Sequence, residues 1–126
     1  MIFGKSKKEI GNIGEEAAAK TLKKAGYKIR SRNFLSDHGE IDIIAENKEF
    51  LVFVEVKTRK NVERYFENYG RPADAVTKKK QQHIIYTAKS YLYKHPTKKA
   101  IRFDVIEVFH DDDIKINHIE DAYRAF

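Results

Sequence analysis

Apolar and polar side chains alternate along residues 40–46, and this period of two predicts a β-strand with one buried face. Residues 50–56 form an almost continuous apolar run that is rich in β-branched and aromatic side chains. Such a run is typical of a central strand covered on both faces. A similar run at 101–109 predicts another buried strand, and weaker alternation at 27–34 predicts a strand that precedes the other three.

Two stretches repeat their apolar side chains with the period of an α-helix. The first runs from residue 9 to residue 25, and Gly26 is placed to end it. The second begins near Asp74 or Thr77, either of which is a suitable N-cap, and runs to about Lys94, shortly before a proline.

The order of elements is helix, three strands, helix, strand, and a short strand at 114–116, followed by a helical turn at 119–126. This order predicts an α/β fold with a helix-covered sheet. A chain of 126 residues is long enough for one core and too short for two, so we expect one domain over 1–126. The lysine-rich residues 1–8 are expected to form a mobile basic arm.

The second predicted strand and the third carry charges where a core strand rarely has them. Glu55 and Lys57 share one face at the end of the apolar run. A two-residue turn at Asn47-Lys48 would make Asp42 a diagonal neighbour of Glu55, with Cβ atoms roughly 7–8 Å apart. Two carboxylates at that separation can hold one divalent cation. The alternative is an ion pair between Glu55 and Lys57 that closes the strand.

Each predicted helix contributes one polar residue next to its apolar stripe. Glu15 lies at the edge of the inner stripe of the first helix, since most residues one turn away are small or apolar. It could equally be an acid favoured at a helix start by the macrodipole. Gln81 leads the apolar stripe of the second helix, and a buried amide in that position needs hydrogen-bond partners.

Basic residues flank the acidic strands on both sides in sequence. Those in the loop 58–71 are mixed with aromatic residues, a combination that suits contacts to phosphates and unstacked bases. Those at the start of the second helix oppose its dipole, a cost that a bound phosphate would relieve. The candidates for nucleic-acid binding are Arg59, Lys60, Arg64, Arg71, Lys78, Lys79 and Lys80. An ordinary loop and a solvated lysine run would explain the same residues.

The composition narrows the class of partner and of metal site. Lys and Arg number 25 against 19 Asp and Glu, and the net charge of +6 favours a polyanion, nucleic acid first. The absence of cysteine excludes disulfides and thiolate–zinc sites. No apolar run approaches the roughly 20 residues that span a bilayer, and the start lacks the apolar core of a secretory signal. We therefore expect a cytoplasmic protein that does not enter the membrane.

Several motifs occur together, in order and over nearly the whole chain. They are Gly11-x-x-Gly-Glu15-x-x-Ala18, Gly39-Glu-Ile-Asp42-Ile-Ile, Leu51-Val-Phe-Val-Glu55-Val-Lys57-Thr-Arg59, Gly70-x-Pro72, Ala75-Val-Thr and Arg102-Phe-Asp-Val105. The set resembles the bacterial YraN-type family of predicted endonucleases. That family is similar to the PD-(D/E)XK nucleases of restriction-endonuclease-like fold, with archaeal Holliday-junction resolvases as the nearest type.

The resemblance implies a three-layer α/β fold, with a central mixed sheet of about four to five strands flanked by helices. It implies that Asp42 and Glu55 bind Mg²⁺ or Mn²⁺, and that Glu15 binds the metal or a water on it. Lys57 would act on the attacking water and the phosphate, and Gln81 would orient Lys57 or a water. The proline of the motif is replaced by Ile41, as in many family members.

The implied activity is hydrolysis of phosphodiester bonds in DNA, branched or otherwise structured. The resemblance also implies a homodimer, because one small domain could hardly cut two strands symmetrically, although no residue identifies an interface. Two other functions remain open at this point. One is a nucleic-acid-binding module that kept the fold without cutting, and the other is a protein–protein adaptor in DNA processing.

Overall fold

The computed structural model describes residues 6–59, 76–110 and 112–125, and within them it contains two helices and five strands. Their bounds are α1 (Lys7–Lys24), β1 (Lys28–Ser36), β2 (Gly39–Glu46), β3 (Phe50–Arg59), α2 (Lys78–Lys94), β4 (Ala100–His110) and β5 (Ile114–Tyr123). The α/β class is confirmed, and so is the predicted order of helices and strands, except for the helical turn expected at the end of the chain.

The strands form one mixed sheet in the order β1-β2-β3-β4-β5. Strands β3 and β4 are parallel, and the other neighbours are antiparallel. The chain passes from β3 to β4 through α2, since parallel neighbours need a crossover rather than a hairpin. The central position of β3 explains its apolar residues on both faces.

The two helices cover opposite faces of the sheet and produce three layers. Leu22 of α1 packs in one core cluster with Val54 of β3. On the other face, Ile84 and Tyr91 of α2 pack with Phe53. Because alternate residues of β3 supply the two clusters, one strand supports both helices. Neither α1 nor α2 combines the length and apolar character that a helix needs to cross a membrane.

Helix α1 begins earlier in the chain than its apolar stripe suggested. The hydroxyl of Ser6 accepts a hydrogen bond from the backbone N–H of Glu9 at 3.2 Å, and the helix starts at Lys7. Lys7 therefore belongs to the helix rather than to the predicted arm, and the first five residues lie outside the described part. Gly26 follows the helix with φ 93°, the backbone conformation that its predicted place requires.

The prediction of a short strand and a helical turn at the carboxyl terminus was wrong. Residues 114–116 are only the beginning of a strand that continues to Tyr123, where a helical turn had been expected. Ile119 and Tyr123 pair with β4, although the register shifts between Phe103 and Val105. Backbone hydrogen bonds to β4 and burial of Tyr123 favour the strand, and neither can be read from the local sequence.

The predicted register of the β2–β3 hairpin was also wrong, by two residues. Glu46 pairs with Leu51, whereas a tight turn at Asn47-Lys48 would have paired it with Glu49. The side chain of Asn47 closes a wider turn, since its oxygen accepts from the N–H of Glu49 at 2.9 Å and of Phe50 at 2.8 Å. A shift of two keeps every side chain on its predicted face.

Candidate active site

The candidate site lies at the carboxyl end of β3, where its pairing with β2 ends. The observed register runs to Ile43 opposite Val54, and its continuation places Asp42 opposite Glu55. Beyond the last backbone pair, the side chain of Asp42 contacts β3 instead, and its Oδ2 accepts a hydrogen bond from the backbone N–H of Val56 at 2.8 Å. Asp42 and Glu55 are thus direct neighbours, closer than the diagonal pair that the sequence predicted.

The two carboxyl groups interact strongly. Burial raises the pKa of Asp42 to about 7, helped by the neighbouring charge of Glu55 and opposed by the hydrogen bond from Val56. Glu55 is 7% exposed, so little water is available to separate the two charges. The two side chains share a hydrogen bond. Without a cation, the pair therefore holds one proton up to near-neutral pH.

Two lysines approach the carboxylate of Glu55 from different elements. The Nζ of Lys57 lies 3.4 Å from Oε1, since residues two apart on β3 share a face. The Nζ of Lys80 lies 3.9 Å from the same oxygen and comes from the first turn of α2. Thr77 caps that helix by accepting from the N–H of Lys80 at 3.2 Å. The choice left between Asp74 and Thr77 is thereby decided for Thr77.

Glu15 reaches the site from α1. Burial raises its pKa, and the charge of Asp42 raises it further, which places Glu15 within electrostatic reach of the pair. The residue before it explains how the helix comes so close. A Cβ on Gly14 would clash with the Oγ1 of Thr58, so with Thr58 in its present place glycine allows this approach of α1 to β3.

The arrangement suits a cation with few protein ligands. In the described ranges, no group of three His, Asp or Glu side chains is placed to hold a metal ion, so Glu15 does not complete a preformed three-acid cage. Mg²⁺ often binds through one or two carboxylates and keeps several waters. The half-buried Asp42 and the buried Glu55 offer oxygen ligands, and a cation would offset the burial and the repulsion that together raise the pKa of Asp42.

The other predicted site residues have separate positions. Gln81 finds a partner for its amide in the carbonyl of Val76, to which Nε2 donates at 2.9 Å. Its role in orienting Lys57 stays a prediction. Lys78 and Lys79 are exposed on the first turn of α2.

The basic residues predicted in the loop are only partly covered by the structure. Arg59 is the last residue of β3 and is half-buried. Lys60, Arg64 and Arg71 lie outside the described residues, so their predicted contacts with nucleic acid stay predictions.

One residue that sequence reasoning missed connects two acids. With its amide nitrogen toward them, Asn33 donates to Oε1 of Glu15 at 2.9 Å and to Oε1 of Glu40 at 2.7 Å. Its backbone has φ 55°, a conformation that asparagine tolerates better than most residues. No periodic signal in the sequence predicts this contact, because it depends on the local path of β1.

A second missed residue extends the polar face of β3 onto β4. Glu107 pairs with Lys57 in the parallel register and is fully buried. Its Oε1 accepts from the Nδ2 of Asn117 at 2.8 Å, while its Oε2 has no hydrogen-bond partner among the residues described. The available signal was an acid that interrupts an apolar strand, as Glu55 does.

The family model for the uncharacterised protein family UPF0102 matches residues 14–108. The chain belongs to this family. It is 47% identical over 125 residues to a UPF0102 protein of Clostridium perfringens, with 96% of this chain and 98% of the relative covered. A UPF0102 protein of Caldicellulosiruptor saccharolyticus is 41% identical over 122 residues, covering 94% of this chain and 99% of the relative. The predicted YraN-type resemblance is therefore confirmed.

The last motif of this UPF0102 member has a structural explanation. Arg102 donates two hydrogen bonds to Asp104, both at 2.8 Å, and a third to the hydroxyl of Tyr27. The Nε2 of His118 lies 2.7 Å from Oδ2 of Asp104. The backbone N–H of Asp121 donates a hydrogen bond to Oδ1 of Asp104 at 3.0 Å. Burial acts to raise the pKa of Asp104, but its hydrogen bonds outweigh that effect and the pKa is lowered. Through Asp104, this network connects β4 to His118 and Asp121 of β5.

Proposed function

We propose that this UPF0102 member is a divalent-metal-dependent endonuclease that hydrolyses phosphodiester bonds in DNA. The observation that carries the proposal is the contact between the half-buried Asp42 and the buried Glu55, with Lys57 beside Glu55. Once both acids are ionised, their repulsion destabilises the fold unless a positive charge lies between them. A divalent cation supplies that positive charge, and such cations commonly catalyse phosphodiester hydrolysis.

Each nearby side chain has a chemical task in this proposal. Asp42 and Glu55 hold Mg²⁺ or Mn²⁺, which when bound would neutralise charge on the phosphate and lower the pKa of the attacking water. Lys57 positions that water and offsets charge that develops on the phosphate. Glu15 binds water at the edge of the pair, and Gln81 keeps Lys57 or a water in place.

Two variants separate the roles at the end of β3. Glu55→Gln keeps the shape but removes a charge that the cation needs, so both metal affinity and cleavage should fall. Lys57→Ala should bind metal as well or better, because a positive charge 3.4 Å from Glu55 is gone. Its cleavage rate should nevertheless fall by at least about 10²-fold, as for a group that acts in the transition state.

The assay is cleavage of labelled branched, nicked, single-stranded and duplex DNA with Mg²⁺ or Mn²⁺, beside calorimetric titration of Mn²⁺. Glu49→Gln is the matched control, since Glu49 is exposed in the hairpin turn. Cleavage at the wild-type rate by both site variants would contradict the catalytic roles. DNA binding by a wild-type protein that cuts none of these substrates would favour the non-catalytic module.

The basic residues that flank the acidic strands in the sequence would hold the DNA backbone. Neutralising Arg59, Arg64, Lys78 and Lys79 together should weaken binding to all sequences and flatten its salt dependence. Fluorescence anisotropy across a salt series measures both effects. Unchanged affinity and an unchanged salt slope would exclude these residues from the DNA path. If both strands of a substrate are cut, two copies of the domain are needed, and sedimentation in the presence of DNA should reveal a homodimer.

A further inference from the structure

Helix α2 has a charge pattern that core packing does not explain. It carries five lysines and no aspartate or glutamate. Two of the lysines, Lys89 and Lys94, lie far along the helix from the candidate site. A surface helix normally mixes both signs of charge, whereas the charged side chains of this helix are all positive and lie towards its two ends.

The exposed face of the same helix carries aromatic rings between its lysines. Residues three and four apart share a helix face, and the outward stripe consists of Lys79, Gln82, Tyr86, Lys89 and Tyr93, all exposed. Tyr93 is 89% exposed and Tyr86 is 45% exposed. The stripe spans about 21 Å at 1.5 Å per residue. It begins beside Lys80, whose ammonium group approaches Glu55 of the candidate site.

A groove runs between this stripe and the end of β1. It has a volume of about 520 Å³, and its lining includes Leu35, Tyr86, Lys89, Tyr93 and Lys94. Leu35 is 69% exposed, and it adds apolar surface to the lining that Tyr86 and Tyr93 share. Asp37 is the acidic member of the lining.

The turn between β1 and β2 supports one of the rings. The ring of His38 lies 4.2 Å from that of Tyr86, at an angle of 76°. An edge contact of this kind restricts the orientation of the tyrosine ring.

We propose that the stripe and groove bind an unpaired strand of the DNA substrate and lead it to the candidate site. Lysines towards the two ends of the helix contact phosphates several nucleotides apart, and the rings of Tyr86 and Tyr93 stack on bases. A duplex keeps its base faces covered, so tyrosines this exposed gain stacking partners only from unpaired nucleotides. At a rise of about 3.4 Å per nucleotide the stripe accommodates about six nucleotides.

A second copy of the chain is a poorer occupant of this surface. In a two-fold symmetric contact the same patch meets itself. The lysines of one stripe would then face those of the other, with no carboxylate on either helix and only Asp37 of the groove lining to offset them. The inference rests on the proposed endonuclease function for what happens to the strand, but the binding step requires neither metal nor cleavage.

The test is binding of a fluorescent 12-nucleotide oligothymidine and of a 12-base-pair duplex, both in EDTA. Tyr93→Leu keeps an apolar side chain and removes the ring, while Tyr93→Phe keeps the ring. Loss of one stacked base corresponds to an affinity about 5- to 150-fold weaker. We expect such a loss for oligothymidine with Tyr93→Leu, near-wild-type affinity with Tyr93→Phe, and little change for the duplex. Tyr86→Leu should behave like Tyr93→Leu.

The lysine part of the surface is tested with a charge-matched pair of variants. Lys89→Gln should weaken binding to oligothymidine and reduce the salt slope by about 0.7. Lys24→Gln removes an exposed lysine from the last turn of α1 and should change neither.

Two results would overturn the inference. One is wild-type affinity for oligothymidine in both leucine variants. The other is a wild-type dimer that Tyr93→Leu converts to a monomer in sedimentation, which would make the stripe a contact between copies. Failure of the wild-type protein to cut DNA, with ring-dependent binding intact, would instead count against the endonuclease function alone.

Discussion

Asp42→Asn isolates the electrostatic cost of the buried acid pair. The asparagine side chain has nearly the same shape, its oxygen can still accept from the N–H of Val56, and its amide can donate to Glu55 as a protonated acid does. The substitution therefore removes the charge of Asp42 and little else.

The sign of the effect follows from the raised pKa of Asp42. The folded protein keeps a proton on this group up to about pH 7, whereas the unfolded chain releases it near pH 3.8. The free energy of unfolding of the metal-free wild type should therefore fall as the pH rises between these values. A pKa change of this size corresponds to at most about 4 kcal/mol. Because Asp42 keeps some contact with solvent, we expect about 2–4 kcal/mol at pH 8.

Urea unfolding in EDTA at pH 4 and pH 8 measures this difference. Asp42→Asn should match the wild type at pH 4 and be more stable at pH 8. Asp113→Asn, which changes an exposed acid in the turn before β5, is the control and should shift neither value. Mn²⁺ at about 100 times its dissociation constant should stabilise the wild type by about 2.7 kcal/mol and the Asp42 variant much less. A variant that is less stable than the wild type at pH 8 would refute the charge-repulsion argument.

Three further predictions concern packing and polar contacts. Gly14→Ala should destabilise the fold by about 1–3 kcal/mol, since the new Cβ meets Oγ1 of Thr58, and adding Thr58→Ala should restore most of the loss in urea unfolding. Asp104→Asn should cost about 3–5 kcal/mol at pH 7 because it leaves the buried guanidinium of Arg102 with only the exposed Glu120, 3.9 Å away, as a charge partner. Equal stability would show that burial alone stabilises this region. Asn33→Gly tolerates the positive φ but removes the hydrogen bond donated to Glu15, so the pKa of Glu15 should rise further. NMR titration measures this pKa, and an unchanged value would contradict the assigned contact.

Local periodicity was sufficient for most of the fold. Burial of one face or of both faces produces a repeating pattern of apolar residues within a single stretch of chain. Such patterns predicted strands β2 and β3 and helices α1 and α2. The hydroxyl cap at Thr77 and the positive φ of Gly26 are equally local. These features were predicted because they need no knowledge of which distant element is the neighbour.

The proximity of Asp42 and Glu55 also came from the sequence, and it survived a wrong register. An error of two residues preserves the face of every side chain, because the strand period is two. What the sequence did not determine was the separation between them. The wider turn closed by Asn47 places the acids directly opposite each other, and that closeness, together with burial, raises the pKa of Asp42.

The remaining features depend on contacts between distant parts of the chain. Residues 119–123 form a strand because β4 offers an open edge, and Glu107 lies beside Lys57 because β4 is the parallel neighbour of β3. Asn33 contacts Glu15 and Glu40, and its backbone has a positive φ. The sequence by itself determined which faces are apolar and which residues carry charge, since burial patterns are local. Only the tertiary structure decided which charged groups meet, because strand order and register depend on the energy of the whole sheet.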